Sequence, residues 1–404
     1  MARLSQNSDT AGTSRRRSAS VLARWPLWVV ALCAFLAALA LAAGALVAVL
    51  GWLGLLSRSA FRSSSGTALN VVKVVLGAVA GVGALMGLVI AYRRQLVAES
   101  TDDRDRTRLF NERFSAAAEQ LGSDRAGVRQ AGIYSMEGLA DDWPAGRQRC
   151  IDVLCALARR GHVLEPPPDA PIEDRLAWDD DRQFRHAIMR VVAAHLRPEG
   201  AGQADDHVPY RPVVSWQGGN FDFTGALVDG GDLDGIELTD GQLVFAGARF
   251  VADAPLVLRG SKFLGKSLLD VRGARFESGG LDLSKVVVGP KATVNCSDTL
   301  FEDGRVDISS TIIEGWFYLC RASFSGTEVE LSEAVLRGSI DLREAKLTKG
   351  VVRFDDAVVE PERFWFQGAQ FKGTVMDFSK AKIVSELDFG SATPPTGVLL
   401  PPAP

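Results

Sequence analysis

Between Val213 and Phe389 apolar residues return at short, regular intervals. Phe223, Val228, Leu233, Leu238 and Leu243 stand five apart, and the positions two before them (Phe221, Ala226, Gly231, Ile236, Gly241) are small or apolar. The positions between (Asp222, Leu227, Asp232, Glu237, Gln242) are mostly polar. After Phe250 the step lengthens. Triplets such as Ala248-Arg-Phe250, Ala274-Arg-Phe276, Ala322-Ser-Phe324 and Ala345-Lys-Leu347 alternate with Leu269-Asp-Val271, Leu281-Asp-Leu283, Val306-Asp-Ile308 and Ile340-Asp-Leu342. Each kind recurs after 11–13 residues through most of the run. Strand side chains alternate faces, so the outer pair of a triplet is expected to point inward and the middle residue outward. Glycines between triplets (Gly260, Gly273, Gly326, Gly338) suit corner conformations that other residues resist. The pattern predicts a β-solenoid with four-sided coils of roughly 24 residues, stacked about 4.8 Å apart.

Toward the N-terminus the pattern changes. Residues 1–24 form a basic tail, Ser/Thr/Arg-rich and nearly free of apolar residues, and are expected to be disordered. Pro26 to Leu56 runs for 31 residues without a charge, and Val71 to Tyr92 for 22 with one, Lys73. About 20 apolar residues suffice to cross a bilayer. Residues 25–56 and 71–92 are therefore expected to form a membrane α-helical hairpin, with 57–70 as the external loop. Arg3, Arg15, Arg16, Arg17 and Arg24 precede the first span and Arg93 and Arg94 follow the second. The positive-inside bias places both chain termini in the cytoplasm of a cell membrane. Glycines at 77, 81, 83 and 87 allow close helix approach, either between the two spans or between two copies.

From Arg93 to 200 the spacing becomes helical. Leu109, Phe110, Phe114, Ala117 and Leu121 mark one helix; Val128, Ala131, Ile133, Met136 and Leu139 a second; Ile151, Leu154 and Leu157 a third. A Pro-rich break near 165–171 separates a fourth, from Pro171 to Leu196. The first three helices of this cytoplasmic helical domain resemble a HEAT-like unit. His162, His186, His195 and His207 all lie here; none forms an i, i+4 metal pair, so solvated or core roles are expected. The Pro-rich stretch 393–404 is expected to be a disordered tail, with the solenoid, 213–392, stopping near Phe389. An exposed terminal edge invites pairing, which leaves homodimerisation open there.

The five-residue run resembles the pentapeptide-repeat family, whose unit reads A-(D/N)-L-x-x. Two spans, then Asn111-Glu-Arg-Phe114, Glu119-Gln-Leu-Gly122, Val128-Arg-Gln-Ala-Gly-Ile133 and Val214-Ser-Trp-Gln-Gly218 resemble the layout of bacterial membrane-anchored members. The resemblance implies a right-handed quadrilateral β-helix.

Composition narrows the chemistry. The net charge of −4 gives no basic footprint for nucleic acid. Five scattered cysteines (Cys33, Cys150, Cys155, Cys296, Cys320) fit reduced thiols better than a disulfide framework. Gly260-Ser-Lys-Phe-Leu-Gly-Lys266-Ser267 matches the phosphate loop of NTPases, but that loop needs a following helix, and here a strand pattern follows. Asp270, Asp282, Asp307, Glu330, Asp341, Asp377 and Asp388 are expected to form one ladder on the outer wall, interspersed with Arg272, Arg275, Lys285, Arg343 and Lys346. No histidine lies beyond His207, so no Ser/His/Asp or Cys/His set can be assembled in the solenoid. No catalytic, cofactor-binding or metal-ligating residues are assigned, and no cofactor is implied. The expected role is a non-enzymatic scaffold for an unknown protein partner. The alternatives are a DNA mimic acting on topoisomerases and a nucleotide-binding enzyme using Gly260–Ser267. Residues 213–392 carry 27 acidic and 19 basic residues, a mild excess for a mimic.

Overall fold

The computed structural model describes residues 65–160, 165–198, 214–251, 255–277, 279–384, 387–390 and 395–402, with isolated helical positions between 40 and 51. The basic tail, most of the first expected span, Cys33, His162 and His207 lie outside the described residues. The chain divides into two compact units, residues 1–107 and 108–404.

A single helix, α1 (Ser65–Leu121), covers the whole of the second expected span and starts inside the stretch expected as a loop. In the first unit it exposes Leu76, Leu85, Leu88 and Ile90. Among the described residues, a Cβ added at Gly77, Gly81, Gly83 or Gly87 would meet nothing within 4 Å. Among those residues no helix is long and apolar enough to cross a membrane, so the expected hairpin is not part of the described fold.

The second unit opens inside α1. Three more helices follow: α2 (Ala126–Asp142), α3 (Arg147–Ala158) and α4 (Ile172–Leu196). Their boundaries follow the punctuation of the sequence. Gly122 closes α1, its amide donating to Ala118 O at 3.1 Å. Pro171 occupies the N-cap of α4, where a missing N–H costs nothing. Phe110, Ala117, Leu121, Ile133, Met136, Leu139, Ile151, Leu154, Ile188 and Val192 are buried together. Two expected core positions are not: Leu109 and Ala131 are exposed. Gly132 takes the place of Ala131 against α1, because a Cβ there would lie 2.8 Å from Leu121 N.

The described residues between 220 and 399 wind into a parallel β-solenoid of about seven coils with four faces. Face I runs from Asn220–Asp222 to Arg363–Trp365 and face IV from Glu237–Thr239 to Lys382–Ile383, seven strands each. Face II begins at Leu227–Val228 and face III at Leu256–Val257; they merge late, because Lys346–Arg353 and Gln370–Asp377 each run through both. The register repeats every 22 to 26 residues, as Phe221 over Leu243, Leu243 over Leu269 and Leu269 over Val294 show. The solenoid passes Phe389, where it was expected to stop: Val398–Leu399 adds a strand to face III, Met376 opposite Val398.

The triplet rule holds. Ala248, Phe250, Ala274 and Phe276 are fully buried while Arg249 and Arg275 are exposed. Inside face II the phenylalanines stack, with centroids 4.2 Å apart from Phe250 to Phe276 and 4.8 Å from Phe276 to Phe301 and on to Phe324. Leu347 interrupts that stack one coil later. Around it, with Leu331, Leu342 and Val352, lies an apolar cavity of about 30 Å³. Many corners are type II-like turns, such as Ala226 N to Phe223 O at 3.0 Å. They need a positive φ, which glycine supplies at Gly225 and Gly273 but Lys285, Arg321 and Glu344 also adopt.

Candidate functional site

The middle acids have a different job from the one expected. Asp282 and Asp307 stand in register with Glu330 on face III, where Arg353 continues the row before Asp377. Asp270, Asp341 and Asp388 lie instead on face I. One outer ladder is therefore corrected to two separate rows, and Asp270 and Asp341 are buried rather than outward and solvated. The cause is local. Each aspartate of the rows turns back to accept the N–H two residues on: Arg272 to Asp270 at 3.1 Å, Ser284 to Asp282 at 2.9 Å, Ser309 to Asp307 at 3.0 Å, Arg343 to Asp341 at 3.0 Å. Asn295 does the same for Ser297. An Asp or Asn before the core residue thus caps the corner that follows it. Arg272 and Arg343 also pair with Asp270 and Asp341, which raises both guanidinium pKa values.

The phosphate-loop match falls where the repeat demands a corner. Lys262–Leu264 is a strand, Gly265 is the turn, and Leu268–Asp270 is the next strand, so no helix N-terminus faces the loop. The Lys266 amide already donates to Asp240 Oδ1 at 2.8 Å, and Ser267 is buried.

The two described histidines, His186 and His195, lie at the junction of helices and first coil, which sequence spacing could not foresee. His195 is buried; its Nδ1–H donates to Val191 O (2.7 Å), its Nε2 lies 3.2 Å from Asp141 Oδ1, and its ring stacks 3.9 Å from that of Trp216. Trp216, fully buried, donates its Nε1–H to Asp141 Oδ1 at 2.8 Å. His186 Nε2 lies 3.1 Å from Asp229 Oδ1, and Arg185 Nη2 2.5 Å from Asp229 Oδ2. Burial pushes the Asp229 carboxyl up, but the His186 and Arg185 contacts outweigh it and hold the pKa below the usual carboxylate range.

Contacts from this junction cap the leading edge of faces I, III and IV and flank that of face II. Gln148 donates to Asn220 O (2.7 Å) and accepts from Asn220 N (3.0 Å), imitating a neighbouring strand on face I. Gln217 does likewise on face IV, with Glu237 O (2.6 Å) and Thr239 N (2.8 Å). Arg197 donates to Asp232 O and Asp234 O beside face III. Arg185 and His186 hold Asp229 beyond the first strand of face II. An open strand edge is a template for aggregation, and solenoids need such end caps.

The thiols at Cys150, Cys155 and Cys296 are buried, and burial pushes the first two pKa values up to about 11 and about 12 and the third higher still. They are packing groups in a protonated state. Aromatic side chains provide a surface feature that the triplet rule does not announce. Tyr318 and Trp365 occupy outward middle positions of their triplets on face I, and Trp316 sits beside them. The signal was present as an aromatic residue where the pattern usually has Asp.

A helically capped, four-sided parallel β-solenoid is the class of protein that these observations define. No protein-family model matches the chain, and no curated protein matches it.

Proposed function

We propose that the chain is a non-enzymatic scaffold of the pentapeptide-repeat kind, with a right-handed coil that presents a rigid lateral surface to a protein partner. The observation that carries this reading is how the polar groups are used. The middle carboxylates close corners, and the junction histidines cap the first coil, so these groups are committed to holding a straight surface. The anchor rests on the sequence: two apolar stretches, 25–56 and 71–92, flanked by arginines, in a membrane with both termini cytoplasmic. The solenoid then works at the cytoplasmic face.

Proximity labelling tests this with the full chain against a deletion of Val213 to Ala392. The deletion is expected to leave membrane insertion intact and to empty the set of labelled partners. An unchanged set removes the solenoid as the binding element. Alkaline extraction of membranes tests the anchor: release of the full chain into the soluble fraction would refute it.

A further inference from the structure

On face I three aromatic side chains cluster where the repeat elsewhere places short or charged residues. Trp316 and Tyr318 share one strand; Trp365 comes two coils later, in register with Tyr318 through Asp341. Trp316 is 36% exposed. Its ring centroid lies 5.5 Å from that of Tyr318 and 6.4 Å from that of Trp365. The coil between contributes Ser339 and Asp341, both buried, so the rings stand over a low floor. Arg343 binds Asp341 through Nε at 2.9 Å and Nη2 at 2.6 Å and lies 5.2 Å from the Trp365 ring. Arg363 lies 5.6 Å from the same ring, and among the described residues it has no ion-pair partner. Asp341 pairs with Arg343, so Arg363 is the guanidinium at the Trp365 ring left without an ion pair among the described residues.

Trp, Tyr and Arg are the side chains that dominate protein interfaces. The spacing selects what they would hold. Two coils advance about 9.6 Å along the solenoid. One turn of a polyproline II helix advances about 9.3 Å. A polyproline II segment lying along face I therefore offers the same edge to Tyr318 and again to Trp365. Pyrrolidine rings dock on aromatic faces, and the extended chain is already ordered before it binds.

From this geometry we infer that Trp316, Tyr318, Trp365 and Arg363 form a docking surface for a proline-rich protein segment with an acidic residue beside its prolines. The carboxylate sits on Arg363 and the prolines on the rings. This inference rests on the scaffold reading and names the class of partner.

Fluorescence anisotropy of the full chain in detergent micelles, with a labelled Pro-Pro-Ala-Pro-Pro-Glu-Glu peptide, tests it. Saturable binding is expected, weakened about tenfold by Trp365→Ala, as loss of an aromatic anchor requires. Arg363→Gln is expected to weaken the acidic peptide and to leave a Gln-Gln version unchanged, a contrast that misfolding cannot produce. Ile312→Ala, on face IV, should bind like the parent. The inference fails if the parent shows no saturable binding, if a glycine-for-proline peptide binds equally well, or if Trp365→Ala has no effect. Partner loss on solenoid deletion together with an inert peptide would sink the patch and keep the scaffold. Peptide binding with an unchanged partner set would do the reverse.

Discussion

Replacing Asp229 with alanine probes the joint between the helical domain and the first coil. The carboxylate and the Arg185 guanidinium are both almost fully buried, with side-chain exposures of 4% and 3%. Removing one partner of a buried ion pair costs about 3–5 kcal/mol, because the other charge stays behind without compensation. Arg185 keeps a second contact to Asp181, which is 25% exposed, so the lower end applies, about 3 kcal/mol. At about 1.4 kcal/mol per tenfold, that is roughly a hundredfold rise in opening of the first coil. Hydrogen exchange of peptides covering residues 220–250 reads it directly. A joint Arg185→Leu, Asp229→Leu variant should recover most of the protection, since no buried charge remains. Acid provides a second check. The folded pKa of Asp229 lies below its unfolded value, so its contribution is full above about pH 4 and disappears as pH falls through the folded value. Asp229→Ala should lack that acid limb. Exchange within threefold of the parent, or a double variant worse than the single, would overturn the assignment.

Three further outcomes follow from the coil. Leu347→Phe should complete the phenylalanine stack and fill the 30 Å³ cavity, raising stability by about 0.7 kcal/mol in a thermal melt at about 24 cal/mol per Å³. Gly273→Ala meets open space but a φ of 63°, so it should cost about 1 kcal/mol, whereas Gly338→Ala would drive a Cβ into Gly315 O and should cost clearly more. Asp307→Asn keeps the acceptor for the Ser309 amide and should melt like the parent, while Asp307→Ala should lose about 1 kcal/mol; equal melting of the two would remove the corner-capping role.

Much of the coil was legible because a two-residue alternation repeats many times over. Ala248, Phe250 and Arg249 are assigned to inside and outside by that rule alone. The corner role of Asp282 and Asp307 was hidden because a carboxylate one residue from the core looks the same whether it faces water or turns back to its own backbone. Only the turn geometry distinguishes the two. The cap was hidden for another reason: Gln148 reaches Asn220, and Asp141 reaches Trp216, across 72 and 75 positions of sequence. The Val214-to-Gly218 motif marks the place without revealing what it touches. The strand at Val398–Leu399 was missed because the prolines around it predict a stop, yet Pro395 contributes only its carbonyl, accepting from Val398 N at 3.2 Å.

The cap at the N-terminal end sets the order in which the chain can be built. Residues 108–198 leave the ribosome before any coil does. Their helices already carry Gln148 and Arg185, the side chains that receive the first strands, and the apolar residues Ile133, Leu154 and Ile188 of the core that the coils go on to join. Each later coil of 22 to 26 residues then meets a finished edge of the same width and register. Synthesis can therefore lay the solenoid down one coil at a time, without waiting for distant sequence.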